Sequence, residues 1–193
     1  MITFVVTGGI ASGKSNVMSL LEKRGLPTLN ADAVGHEVGN TPQARERITA
    51  AFGEGYYPEG KLDRAALGRL VFADSQKREQ LNAIMHGLIY ERIRRWIAEH
   101  SAEKAVAIEI PLLFESGKQQ IADVILHCYV PRDTQMIRLM ARNGLTETEA
   151  LQRIDAQMPT EQKMALAHHN IDTSGSFLQT AQRVDEILKQ YEV

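Results

Sequence analysis

The residues best suited to chemistry stand near the start of the chain. Gly8-Gly9-Ile10-Ala11-Ser12-Gly13-Lys14-Ser15 follows the spacing G-x-x-x-x-G-K-[ST]. Glycines at this spacing let a backbone wrap closely around an anion, because no Cβ stands in the way. The N–H groups of such a loop, and the N-terminus of a following helix, then point at a phosphate. Lys14 is expected to reach the β- and γ-phosphates of ATP, and the Ser15 hydroxyl to ligate Mg²⁺. Gly9, Ala11, Ser12, Gly13 and Asn16 complete the expected nucleotide-binding set. The alternative is a glycine-rich turn that binds nothing. The flanks argue against it, since an apolar stretch, Ile2–Thr7, runs in and a helical pattern, Ser15–Arg24, runs out.

Asp32 is the second candidate. It follows a short apolar run, Pro27–Asn30. In parallel sheets, ligand sites gather beyond the carboxyl ends of strands. If the second strand neighbours the first, Asp32 faces the γ-phosphate. A carboxylate there could take the proton of an acceptor hydroxyl or orient it for in-line attack. Asp is also a favoured helix N-cap, here for residues 33–39, and the two roles are compatible. Arg142 is the third candidate, because a guanidinium is a planar, permanently charged donor for phosphoryl oxygens. Arg138, four residues earlier on the same helical face, reads equally as a second contact or as a solvated charge.

These residues need a frame. Ile2–Thr7, Ala105–Ile110 and Val124–Val130 are nearly continuous in apolar residues, as strands covered on both faces are. Pro27–Asn30 and a weak run near Asn170-Ile171 add two more. Helical patterns lie between them, so the expected fold is α/β: a P-loop NTPase with a five-stranded parallel sheet flanked by helices. Asp133–Arg142 places Met136, Ile137, Met140 and Ala141 on one stripe. Two insertions interrupt the alternation. Residues 33–103 read as several helices, Asp63–Phe72, Asp74–Met85 and His86–His100, with Asp63 and Asp74 as N-caps. Residues 136–164 carry Arg138, Arg142, a Thr146-x-x-Glu149 capping box, Arg153 and Gln157. The expected division is a nucleotide-binding core (1–32, 104–135 and 165–193), a helical acceptor region (33–103) and a lid (136–164).

Composition narrows the partners. Lys plus Arg is 22 against 24 for Asp plus Glu, and this balance argues against non-specific nucleic-acid binding. Arg92, Arg94 and Arg95 lie between Glu91 and Glu99 and read as a solvated helix face. The single cysteine, Cys128, sits in an apolar run and reads as a buried packing residue, with no intramolecular disulfide possible. No apolar run approaches the roughly 20 residues that span a bilayer. The chain opens directly on a strand without a charged leader. The expectation is a cytoplasmic monomer or weak homo-oligomer that acts on a small molecule, with no nucleic acid and no membrane.

The phosphate loop alone fits a GTPase, a motor or a kinase. A GTPase would carry an N-K-x-D motif, and the chain has none. A motor would end a strand on an Asp-Glu pair, whereas Ile108-Glu109-Ile110-Pro111 stands here. A helical insertion together with an arginine-rich one looks like a nucleoside-monophosphate-kinase-type phosphotransferase. There one insertion holds the acceptor and the other closes over ATP to exclude water.

Several stretches carry a closer likeness. They are Thr7–Ser15, Asn30-Ala31-Asp32, Leu81-Asn82-Ala83-Ile84-Met85-His86, Ile110-Pro111-Leu112-Leu113-Phe114-Glu115, Arg138–Asn143, Arg153-Ile154-Asp155-Ala156-Gln157-Met158 and Ile171–Gly175. With them the chain resembles the bacterial dephospho-coenzyme A kinase family along nearly its whole length. The resemblance implies transfer of the ATP γ-phosphate to the ribose 3′-hydroxyl of dephospho-CoA, the last step of coenzyme A synthesis. It implies that Asp32 is the catalytic aspartate and Arg142 the lid arginine on ATP. It also places His86 and the Pro111–Glu115 loop, including Leu112 and Glu115, near the acceptor. By residue type alone, His86 could equally cap or pack a helix, and Glu115 could be solvated. The chain departs from the usual pattern at Asn16 (Thr), Asn30 (Asp), His36 (Arg), Gly87 (Pro), Glu109 (Asp) and Thr173 (Asn). A kinase of another small hydroxyl acceptor, and a nucleotide-binding regulator without catalysis, are the competing readings.

Overall fold

The computed structural model of the protein describes all residues, Met1–Val193. Five strands, β1 (Ile2–Gly8), β2 (Thr28–Asn30), β3 (Ala105–Glu109), β4 (Val124–Tyr129) and β5 (His169–Asp172), form one sheet in the order β2-β3-β1-β4-β5. Every pairing is parallel. Each strand lies within two residues of an apolar run in the sequence. From Thr3 onward β1 is buried on both faces. Phe4 and Val6 turn to a core shared with Leu126, Cys128 and Ile171 and with helices α1 (Lys14–Lys23) and α9 (Phe177–Gln190). Successive residues alternate sides, so Thr3, Val5 and Thr7 serve the opposite face. Cys128 is fully buried, and burial pushes its thiol up to about 12.

The condition under which the sequence would turn Asp32 to the γ-phosphate is not met: β2 does not neighbour β1, because β3 lies between them and pairs with both. The strand lengths explain this. β3 is apolar and buried over Ala105–Ile108 and suits an interior position, whereas β2 is three half-buried residues at the sheet edge.

The chain divides into two compact units. Met1–Asn30 with His100–Val193 contains the whole sheet, and Ala31–Glu99 is helical. The helical unit holds α2 (Ala31–Val38), α3 (Pro42–Phe52), α4 (Arg64–Ala73) and α5 (Ser75–Glu99). Helix α5 supports the other three. It is one continuous helix of 25 residues, not two. His86 is therefore mid-helix rather than at a helix start. His86 and Gly87 are both exposed, and glycine costs a helix interior only about 1 kcal/mol relative to alanine. Leu88, Tyr90, Ile93 and Trp96 are buried along the following turns and carry the helix through. Asp63 and Asp74 act as caps, accepting from the Ala66 N–H and from the Gln76 and Lys77 N–H groups. Arg94 and Arg95 are exposed, with Arg95 beside Glu91, whereas Arg92, expected on the same solvated face, is half-buried between Glu37 and Glu99.

Between β4 and β5 run α6 (Arg132–Asn143), α7 (Glu147–Asp155) and α8 (Thr160–Leu166), and the Thr146–Glu149 capping box is formed. Residue 136 falls inside α6. The expected stripe on α6 is rotated. Its buried residues are Gln135 and Leu139, with Met136 and Met140 packed alongside, while Ile137 is 61% exposed. A buried glutamine is invisible to a hydrophobicity pattern, and its amide has a partner described below. No helix is long and apolar enough to cross a membrane.

Leu21 is fully buried beneath the sheet. Leu21→Ala is expected to lower the unfolding free energy in urea by about 2–5 kcal/mol. A loss below about 1 kcal/mol would show that this core is not packed as described.

Candidate active site

The phosphate loop is shaped by what surrounds it. A Cβ on Gly8 would strike the backbone carbonyl of Cys128 on β4. Gly13 has φ 81, and a Cβ there would come within 2.6 Å of Thr173 Oγ1. Ala11 also holds a left-handed conformation, φ 58, which costs an ordinary residue roughly 1–2 kcal/mol. Strain of that kind persists only where neighbours enforce it. Thr173, just past β5, is one of them. Its hydroxyl donates to the Ser12 carbonyl at 2.7 Å, and its N–H donates to the Tyr129 carbonyl. Arg138 donates to the Thr173 carbonyl at 2.9 Å, so it is held against this loop and is not a free surface charge.

Lys14 opens α1 and folds back across the loop. Its Nζ donates to the carbonyls of Gly8, at 3.0 Å, and Gly9, at 2.9 Å. The residue is only 9% exposed, so the Lys14 ammonium group sits inside the loop's concavity. Gly13 is the N-cap of α1 and offers no side chain to cap it. The positive end of the helix therefore faces the same space. Ser15 and Asn16 lie exposed on its first turn. Ser12 is buried. Gly9, Ala11, Ser12, Gly13, Lys14, Ser15 and Asn16 thus follow one another along the loop and the first turn of α1.

Two glutamines grip the outside of the loop. Gln157 Oε1 accepts from the Ile10 N–H at 2.8 Å, and Gln135 Nε2 donates to the Ile10 carbonyl at 2.7 Å. Gln135 had no signal in the sequence, and Gln157 only its place in a motif. Both stand on the wall of a cavity of about 400 Å³ that opens beside Gly9.

The Pro111–Glu115 segment adjoins the base of the loop. The Thr7 hydroxyl donates to the Pro111 carbonyl at 3.2 Å, and the Ile110 N–H to the Val6 carbonyl. Leu112 is exposed, while Leu113 and Phe114 are buried. Glu115 is engaged within the protein. Its Oε1 lies 2.7 Å from Lys163 Nζ on α8 and accepts from the Met158 N–H at 3.1 Å. Partial burial pushes its carboxyl up, but hydrogen bonds from Lys163, from its own backbone and from Met158, with the Lys163 charge, hold it below the usual range. Nearby His127 is fully buried against Asn170. Burial lowers its pKa, the Asn170 contact opposes this, and the Lys163 and Lys14 charges add to the lowering. His127 is therefore neutral at pH 7 and serves packing. At the end of β3, Glu109 accepts from Asn30 Nδ2 at 3.1 Å, so the departures at positions 30 and 109 meet each other.

Arg142 is exposed on the last turn of α6, its Nε donating to Asn143. Asp32 and His86 belong to the helical unit. Asp32 is exposed in the first turn of α2, which begins at Ala31, so it is not an N-cap. His86 rests edge-on against Tyr90. At the end of α2, where His36 replaces the usual arginine, Arg64 donates to the Gly35 and His36 carbonyls.

Residues 2–179 match the family described as CoaE, dephospho-CoA kinase. A dephospho-CoA kinase of Geobacillus kaustophilus is 41% identical over 195 residues, covering 99% of this chain and 97% of that protein. The crystal structure of TT1252 from Thermus thermophilus superposes with a TM-score of 0.87 at 33% identity, covering 100% of this chain and 98% of that one. A dephospho-CoA kinase from Campylobacter jejuni superposes with a TM-score of 0.74 at 26% identity, covering 97% and 96%. The chain belongs to the dephospho-CoA kinase family.

Proposed function

We propose that this chain transfers the γ-phosphoryl group of ATP to the ribose 3′-hydroxyl of dephospho-CoA, releasing CoA and ADP. The observation that carries the reading is the Gly8–Ser15 cradle with the Lys14 ammonium inside it. In the transfer, the acceptor oxygen bonds to the γ-phosphorus while the bond to the β–γ bridging oxygen breaks. The acceptor proton passes to a base. Negative charge builds on the bridging and equatorial oxygens, and a fixed cation such as Lys14 stabilises it. We assign the base, or the group that orients the hydroxyl, to Asp32 in the first turn of α2. Gly9, Ala11, Ser12, Gly13, Lys14, Ser15 and Asn16 hold the nucleotide phosphates. By the family resemblance we assign His86 of the helical unit, and separately the Pro111–Leu112 turn of the sheet unit, to acceptor binding.

No group of three or more His, Cys, Asp or Glu side chains gathers to hold a metal. A magnesium ion here would take most of its ligands from phosphate oxygens and water, as this ion prefers. The exposed Ser15 hydroxyl, a hard oxygen donor on the first turn of α1, fits as the protein's ligand. Bound there with ATP, magnesium supplies charge neutralisation on the phosphates.

We read 136–164 as the lid and Arg142 as the residue it carries to ATP. Its C-terminal part is anchored by Gln157, by the Glu115–Lys163 pair and by Asn170 on the Met164 carbonyl. The moving portion is then the end of α6 with α7. A chain with one buried thiol suits the reducing cytoplasm, where we place the reaction.

A panel of hydroxyl acceptors with ATP and Mg²⁺ tests the assignment. Dephospho-CoA should be phosphorylated far faster than nucleosides or sugar acids, with the new phosphate on the 3′-oxygen by ³¹P NMR. Preference for another acceptor would make this a different small-molecule kinase. Lys14→Ala is expected to lower turnover by at least roughly two orders of magnitude at saturating ATP; a near-normal rate would remove Lys14 from the reaction. Asp32→Asn should bind ATP normally by calorimetry but turn over roughly 10²–10⁴-fold more slowly. Normal turnover would leave Asp32 a helix-terminus residue. Joint loss of ATP binding and Mg²⁺ dependence would make it a metal ligand.

A further inference from the structure

Gln135 and Gln157 touch a single residue of the phosphate loop from opposite chemical sides, one as donor and one as acceptor. Both bonds go to Ile10. A planar trans peptide fixes what this does to its neighbours, because the C=O of one residue and the N–H of the next point in opposite directions. No peptide bond of the chain is cis.

In the Gly9–Ile10 peptide, the N–H turns outward to Gln157. The Gly9 carbonyl must then turn inward, and it accepts there from Lys14 Nζ at 2.9 Å and from the Ser12 N–H at 3.2 Å. In the Ile10–Ala11 peptide the order is reversed. The carbonyl turns outward to Gln135, so the Ala11 N–H must turn inward, to the side on which Lys14 sits. Ala11 pays for this direction with its left-handed φ of 58. A conformation this costly persists only where neighbouring groups hold it.

The packing agrees with this. A Cβ on Gly9 would come within 2.6 Å of Gln135 Nε2 and 3.6 Å of Gln157 Oε1, so both amides press on the outer face of the loop. Gln135 is only 5% exposed, and an amide buried on an otherwise apolar helix stripe needs a compensating bond. The Ile10 carbonyl supplies it. The two glutamines come from different elements, α6 and the α7–α8 connection, and they converge on one residue.

From this geometry we propose that Gln135 and Gln157 are positioning residues for nucleotide binding: they set two consecutive peptide planes so that the Ala11 N–H, and not a carbonyl, faces the phosphates. Gln157 also makes the orientation of the loop depend on the position of the α7–α8 connection. The proposal rests on the kinase reading for its ligand, but the loop geometry can be tested without one.

Gln135→Met and Gln157→Met keep the length of each side chain and remove its amide. In the absence of nucleotide, the Ile10 amide of Gln157→Met should exchange with solvent at least roughly tenfold faster than in the wild type. ATP affinity by calorimetry should fall roughly five- to tenfold in each variant, the scale of one lost hydrogen bond. The double variant should lose less than the product of the two, since both changes act on one residue. KM for the acceptor should stay within about twofold. Wild-type ATP affinity in both variants with only a lowered melting temperature, or an unchanged Ile10 exchange rate, would overturn the proposal and leave the glutamines as packing. A wild-type chain that bound no ATP would overturn the kinase reading instead, while Ile10 exchange would still decide the loop geometry.

Discussion

The direction in which seven peptide groups point, between Gly8 and Ser15, is the constraint on which the site depends. An anion needs N–H groups turned toward it, and a chain of L-residues does not turn them there unaided. Close packing enforces the turn. The β4 carbonyl at Cys128 leaves no room for a side chain at position 8, and Thr173 leaves none at position 13. Lys14 then holds the inward Gly8 and Gly9 carbonyls on its own ammonium, so that positive charge lies between them and the space of the loop. The order of the sheet follows from the same need. β1 lies centrally, flanked by β3 and β4, so the loop at its end can be braced from both sides.

A second layer of polar contacts lies on the opposite face of the sheet from α1 and α9. Lys163 is 1% exposed and paired with Glu115, and Asn170 bridges His127 and the Met164 carbonyl. A buried ion pair is a weak source of net stability, because desolvation offsets most of its attraction, yet removing one partner costs about 3–5 kcal/mol. Its use here is registry. It fixes the Pro111–Glu115 turn and the start of α8 to each other, and so fixes where Gln157 can reach.

What could be read from the sequence was whatever local chemistry decides. The glycine spacing of residues 8–13 reflects φ values and close approaches that few other residues tolerate. The apolar runs of β1, β3 and β4 reflect burial on both faces, and Cys128 fell where that pattern said. The Asp63 cap and the Thr146–Glu149 box depend on residues three apart. What could not be read depends on partners far along the chain. Gln135 is polar by type and buried because of a carbonyl 125 residues away. Lys163 looks like a surface charge until Glu115 is beside it. Arg138 reads from type and spacing as a second phosphoryl contact or a solvated charge, and its bond to the Thr173 carbonyl, 35 residues away, is recorded by neither. The neighbour of β2 depends on strand competition that no local pattern records, and the continuity of α5 through His86 depends on residues buried along the turns that follow it.

The central claim is that the Gly8–Ser15 backbone is an anion cradle already oriented for phosphate. A ¹H–¹⁵N titration of the uniformly labelled protein with Mg²⁺-ATP tests it directly. The account expects the largest shift changes at the amides of Ala11, Gly13, Lys14 and Ser15, with Ile10 changing least within the loop because its N–H faces Gln157. Shifts that gather elsewhere while the loop amides stay still would contradict it.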